Sequence, residues 1–145
     1  MREIRRSALV PYSALQMYEL VADVERYPEF LPWCTAARIL ERQDETVLAS
    51  LSLAKGRASA SFTTRNTLVP GRFLEMRLVE GPFSSLEGRW DFADIGMAGS
   101  RVELAMRFAA AATLAGILLG PAFEGICSQL VDAFGRRARQ IHGGR

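Results

Sequence analysis

The sequence predicts an α+β fold in which one curved antiparallel sheet of about seven strands wraps around a long C-terminal helix. Three observations carry this. Apolar side chains recur at a spacing of two through most of residues 36–109. Short turn signals separate these stretches: Gln43-Asp44-Glu45, Lys55-Gly56, Pro70-Gly71, Gly81-Pro82 and residues 96–100, too short for anything but antiparallel connections. From about Thr113 to Ile141 the period changes to three and four, through Leu114, Leu118, Phe123, Cys127, Leu130, Phe134, Ala138 and Ile141. A sheet with one apolar face needs a cover, and this helix is the only element long enough to supply it.

Each element has a local reason. Residues 3–10 form a first strand, which Pro11 ends. Ser13 and Gln16 fit a capping box, in which each side chain satisfies a free N–H at a helix start. That helix, with Leu15, Tyr18, Leu20 and Val21 on its apolar face, stops near Asp23. In VERYPEFLPW, residues 24–33, Pro28 and Pro32 restrict the residues before them and leave room for a single helical turn.

Strands follow at 36–42, 46–54, 57–69, 72–80, 83–93 and 101–109. The fourth strand places Phe62, Thr64, Asn66 and Leu68 on one face. The next places Leu74, Met76 and Leu78 together, then Leu86, Gly88, Trp90 and Phe92, then Val102, Leu104, Met106 and Phe108. In the final helix Arg136, Arg137 and Arg139 occupy the last turns, where cations suit the dipole. Pro121 either kinks this helix or marks its effective start, and Gly143-Gly144 ends it.

Composition bounds the class. At 145 residues and 49% hydrophobic, residues 1–145 read as a single soluble domain able to bury a core without staples. The net charge of +2 is mild, and Lys55 is the one lysine among many arginines. That balance does not demand DNA, though it permits contact with RNA or phospholipid. Cys34 and Cys127 form no C-x-x-C pair, and no signal peptide is expected ahead of the first strand, which suits a cytoplasmic protein with reduced thiols. Phe108 to Phe123 runs without a charge but is shorter than the roughly 20 apolar residues of a spanning helix. Surface contact with a bilayer stays open.

Four strings carry a family resemblance: residues 23–34 (DVERYPEFLPWC), Phe62-Thr63-Thr64-Arg65-Asn66, Gly81-Pro82-Phe83 with Leu86, Gly88 and Trp90, and the helix from Phe123 to Ala138. The chain resembles the START-like, helix-grip superfamily (SRPBCC), also described as polyketide cyclase/dehydrase and lipid transport. Within it, the chain is most similar to the branch of coenzyme Q-binding proteins and RatA-type ribosome association toxins. Those two groups share the strings, and the Pro32-Trp33-Cys34 triplet inclines toward the quinone-binding members.

The resemblance implies a long cavity between helix and sheet. An empty apolar void of about 300 Å³, the low end of ligand pockets, would cost roughly 7 kcal/mol at about 24 cal/mol per Å³. Such a space must be filled, wet or collapsible. The inward faces offer Phe62, Thr64, Asn66, Met76, Leu78, Trp90, Phe92, Leu104, Met106, Leu118, Phe123, Leu130 and Phe134 as ligand-binding residues. Plain core packing is the competing reading for each taken singly. Thr64 and Asn66 are polar on an apolar face and need partners, which a quinone carbonyl or the neighbouring backbone would supply. Tyr27, Phe30, Leu31 and Trp33 form either a plug or a gate at the cavity rim, facing the start of the long helix, where Gly120 and Pro121 offer an opposing hinge.

Catalysis is not expected. His142 is the sole histidine, no hydrolase, zinc or phosphate-loop motif occurs, and the best acids for a cyclase, Asp91 and Glu124, form no evident pair. The leading expectation is an apolar-ligand carrier or chaperone, with ubiquinone or a related polyisoprenoid as bound ligand in support of respiration and no other cofactor or metal. The alternative is a protein that binds the large ribosomal subunit and blocks subunit joining, with Arg2, Arg5, Arg6, Arg136, Arg137 and Arg139 on RNA phosphates.

Overall fold

In a computed structural model, which describes residues 1–143, the chain folds as strand β1 (Arg2–Val10), helix α1 (Ala14–Ala22), a 3-10 turn (Val24–Glu29), strands β2 (Cys34–Gln43), β3 (Thr46–Lys55), β4 (Ala58–Val69), β5 (Phe73–Glu80), β6 (Phe83–Ile95) and β7 (Gly99–Ala110), and helix α2 (Leu114–His142). The capping box at α1 is closed in both directions. The Gln16 N–H donates to Ser13 Oγ at 3.1 Å and the Ser13 N–H donates to Gln16 Oε1 at 2.9 Å.

All strand pairs are antiparallel in the order β1-β7-β6-β5-β4-β3-β2, which leaves β1 and β2 as edges. One inward row crosses the sheet as Ile4, Met106, Gly88, Met76, Asn66 and Val47. Helix α2 lies over this concave face and buries Leu119, Phe123, Ile126, Cys127, Val131, Phe134 and Ala138 against it. Phe123 meets Phe108 edge-on at 4.8 Å between centroids and Phe83 at 5.0 Å, while Phe134 meets Trp90 at 5.3 Å. By length and composition α2 is apolar enough to cross a membrane; one side of it packs on the sheet, while Leu114, Ile117 and Leu118 stay exposed.

The helix buries the expected stripe through Phe123, Cys127, Phe134 and Ala138, and departs from it at its two ends. Leu118 is 40% exposed, and Leu114 and Ile141 also face outward, while Gly116, Leu119 and Gly120 are buried. Close approach is the reason. A Cβ on Gly116 would stand 1.9 Å from the Ala111 carbonyl oxygen, so only glycine lets the chain fold back there. The expected stripe took a five-residue step from Leu118 to Phe123, and Leu119, four before Phe123, holds the inward place instead. The helix also begins ahead of Pro121, which lies within it rather than at its start. Gly143 is the C-cap; Gly144, expected to end the helix with it, lies outside the described residues.

The outward face of the sheet is tiled with opposite charges. Arg107 pairs with Glu3 and Glu87, Arg77 with Glu87, and Arg89 with Glu75 and Asp91. All are substantially exposed, so each contributes about 0–1 kcal/mol at most.

Candidate functional site

Between α2 and the sheet lies an apolar cavity of about 60 Å³. Of the expected ligand-binding residues, Phe62, Thr64, Asn66, Met76, Trp90, Met106, Phe123, Leu130 and Phe134 line it. The others lie elsewhere. Leu104 and Phe92 are buried in the core, where Phe92 stacks on Trp90 and meets the edge of Tyr18. Leu78 packs against the core from a half-buried position, and Leu118 is turned outward by the helix phase. Val24, Ala49, Leu51, Leu74, Leu86, Ile126 and Cys127 also line the cavity. Ala49, Leu51, Leu74 and Leu86 lie on the inward faces that strand alternation marks, and were passed over for larger or more polar neighbours.

Size decides what this space holds. About 60 Å³ left empty costs about 1.4 kcal/mol at about 24 cal/mol per Å³, a tolerable void. It is far below the roughly 300 Å³ at which ligand pockets begin. The interior is thus drawn in well below ligand size. Gly88 permits it: a Cβ there would fall 2.1 Å from Met106 Sδ and 2.8 Å from Met76 Cε, so two methionines close over the bare backbone. Within the cavity wall the Thr64 hydroxyl donates to Asn66 Oδ1 at 2.7 Å. The two polar side chains first satisfy each other.

The Pro-interrupted segment caps the end of the cavity nearest the C-terminal half of α2, not the helix start. Tyr27 and Phe30 both meet Phe134 edge-on, at 5.4 and 5.2 Å. Arg137 bridges to Glu29 at 2.7 Å and lies 4.8 Å over the Phe30 ring. Tyr27 and Trp33 line the cavity, and Leu31 is fully buried in the core rather than on a rim. Tyr27 donates its hydroxyl to the Val21 carbonyl, and burial pushes its phenol well above the ordinary range. Gly120, expected as an opposing hinge, packs instead beside the Arg2 guanidinium, 3.3 Å from where a Cβ would be.

Chemistry inside the cavity is sparse. Asp91 is held by Arg89 on the outward face, and Glu124 is paired with Arg2 at the β1 edge, so neither acid lines the cavity. Burial raises the Cys34 and Cys127 thiols, which disfavours the thiolate. Among the described residues no group of three or more His, Cys, Asp or Glu side chains is placed to hold a metal.

The basic residues sort into two sets. Arg2 and Arg137 are tied to Glu124 and Glu29. Among the described residues Arg5, Arg6, Arg136 and Arg139 have no carboxylate within 4.0 Å. Arg136 and Arg139 line an open groove between α2 and the end of β1, bounded by Ala8, Val10, Tyr12, Val131, Asp132 and Gly135.

Comparison with known proteins fits this frame. Residues 10–135 match the family described as polyketide cyclase / dehydrase and lipid transport. The chain is 47% identical to the ribosome association toxin RatA of Pseudomonas aeruginosa, over 97% of both chains. It is 26% identical to the coenzyme Q-binding protein COQ10 homolog B of Xenopus laevis, over 97% of this chain and 59% of that one. Among solved structures, the ZhuI aromatase/cyclase of a Streptomyces species has the same fold, with a TM-score of 0.84 at 20% identity over 97% of this chain and 96% of that one.

Proposed function

The chain belongs to the polyketide cyclase / dehydrase and lipid transport family, and from that premise we propose that it is a ribosome-associating member that binds the large ribosomal subunit in the cytoplasm and opposes subunit joining. The observation that carries this is similarity to a ribosome association toxin at 47% over nearly the whole of both chains. The arginines without carboxylate partners support it, because cations free of internal pairing are available to RNA phosphates. The order of the two expectations from sequence is thereby reversed: ubiquinone carriage stood first there, and ribosome association stands first here.

Binding rather than catalysis is part of the proposal. Asp91 and Glu124, the acids best suited to a cyclase, both lie outside the cavity and in ion pairs. The test is co-sedimentation of the purified chain with isolated large subunits at low salt, followed by a subunit-joining assay. The expected result is a stoichiometric complex that weakens as salt rises and a fall in joined ribosomes. Free protein at the top of the gradient at every salt concentration would end this reading.

One observation favours apolar-ligand binding as a second reading. The cavity holds the paired Thr64 and Asn66 among apolar walls, the arrangement that orients an oxygen-bearing head group. At about 60 Å³ it must expand to admit a quinone ring. Native extraction with mass spectrometry tests this, and a ligand-free protein that takes up no ubiquinone from vesicles would exclude it. Contact with a membrane surface belongs to this second reading alone.

A further inference from the structure

Helix α2 contains Gly116, Gly120, Gly125 and Gly135 ahead of its cap. Three of them meet a neighbour. A Cβ would collide with the Ala111 carbonyl at Gly116, and would come to 3.3 Å from the Arg2 guanidinium at Gly120 and 3.0 Å from Lys55 Nζ at Gly125. Gly135 meets nothing: a Cβ there has no heavy atom within 4 Å. Glycine is among the poorest helix formers, and no packing among the described residues calls for it at 135. Its bare backbone forms part of the wall of the open groove beside β1.

The groove has apolar walls, from Ala8, Leu9, Val10, Pro11 and Val131, and its charges lean positive. Arg136 and Arg139 line it, and Arg6 stands on the same face of β1 as Ala8, which also lines it. Asp132 is the single carboxylate among its lining residues and pairs with none of these arginines. Tyr12 closes one end with its ring, 6.1 Å from that of His142. Strand β1 is a sheet edge, so its outer backbone groups lack a ladder partner. Guanidinium forks match phosphate oxygens, and a tyrosine face stacks on bases, which a carboxylate-rich peptide would not use.

We propose that this groove seats a single strand of large-subunit ribosomal RNA, with Arg6, Arg136 and Arg139 on its phosphates, Tyr12 against a base, and Gly135 leaving room for the backbone to approach the helix. The proposal rests on the ribosome-associating reading above and assigns that function a surface.

Affinity for isolated large subunits, measured across a salt series, tests it with three variants. Arg136→Gln with Arg139→Gln should weaken binding about tenfold or more at low salt, and should lower the slope of log affinity against log salt by about 1.4, at about 0.7 per single-strand phosphate contact. Gly135→Glu should weaken binding similarly without lowering the melting temperature, since the site is open and glutamate is the better helix former. Arg65→Gln, on the outward face of β4, should bind as the parent does. Free large-subunit RNA should compete for the same complex. Parent-like affinity and salt slope in both groove variants would overturn the assignment while leaving ribosome association intact. Failure of free RNA to compete would make the occupant a protein and overturn it equally. No binding by the parent chain would remove the ribosome reading itself, and this inference with it.

Discussion

Helix α2 borders two spaces of opposite character. Its inward side, with the sheet, encloses about 60 Å³ among aromatic rings and two methionines, and every large side chain there has an intramolecular partner. Its flank beside β1 borders an open groove, where among the described residues arginines lack carboxylates and a glycine lacks neighbours. Interiors this well packed owe their composition to stability. In the groove, Val131, Ala8, Val10 and Tyr12 pack on the core, but among the described residues Arg136 and Arg139 meet no carboxylate and Gly135 no neighbour, and these three are what remains for something outside the chain. A fold shared with an aromatase/cyclase therefore says little about which space is in use.

The contrast can be broken most directly at Trp90. It is 2% exposed and packs between Phe92 and Phe134, so Trp90→Ala should cost about 3–5 kcal/mol. Urea denaturation measures this, and a loss below about 1 kcal/mol would mean that the interior is looser than described. Leu119→Ala should cost about 2–5 kcal/mol, whereas Leu118→Ala, one residue away and exposed, should stay within about 0.5 kcal/mol. Equal effects at the two positions would contradict the helix phase.

The interior also has a pH signature. Burial keeps the Tyr27 phenol and the Cys34 and Cys127 thiols protonated in the fold where the unfolded chain would ionise them. Raised acids of this kind contribute stability that is complete below the unfolded pKa values. It is lost as pH rises, beginning above about pH 9. The urea midpoint should therefore be flat from pH 7 to about 9 and fall beyond, and a midpoint constant to pH 11 would rule out this protonated core. One small effect has the opposite sign. Gly135→Ala should stabilise the chain by about 0.5–1 kcal/mol, because it improves the helix and touches nothing. A destabilised Gly135→Ala would mean that the groove is closed in solution.

Local rules made most of the fold legible. The Ser13–Gln16 box, the alternation through β3 to β7 and the turn residues placed strand and helix boundaries within about two residues, because each depends on neighbours in sequence. The start of the long helix was legible too, but misread: Leu119, four residues before Phe123, continues the buried stripe, whereas Leu118 is five before it and leaves that face. The rim was misplaced for a different reason. Its partner Phe134 and its ion pair to Arg137 lie more than 100 residues away, and nothing local signals them. The arginines were legible as a group, but which ones are neutralised depends on Glu29 and Glu124, so the sequence-level set combined tethered and free cations. Cavity size was beyond reach, since it depends on how two methionines settle over Gly88.

The groove joins the two ends of the described chain. One wall is β1 and the residues just after it, up to Tyr12, and the other is α2 from Val131 to Arg139. Strand β1 itself has no ladder until β7, residues Gly99–Ala110, has been made. At the usual pace of synthesis, about 5–20 residues per second, the first wall waits on the order of ten seconds for the second. A nascent copy accordingly has no groove until α2 has been made and has folded back on β1, so the surface assigned to ribosomal RNA is absent while most of the described residues are being translated.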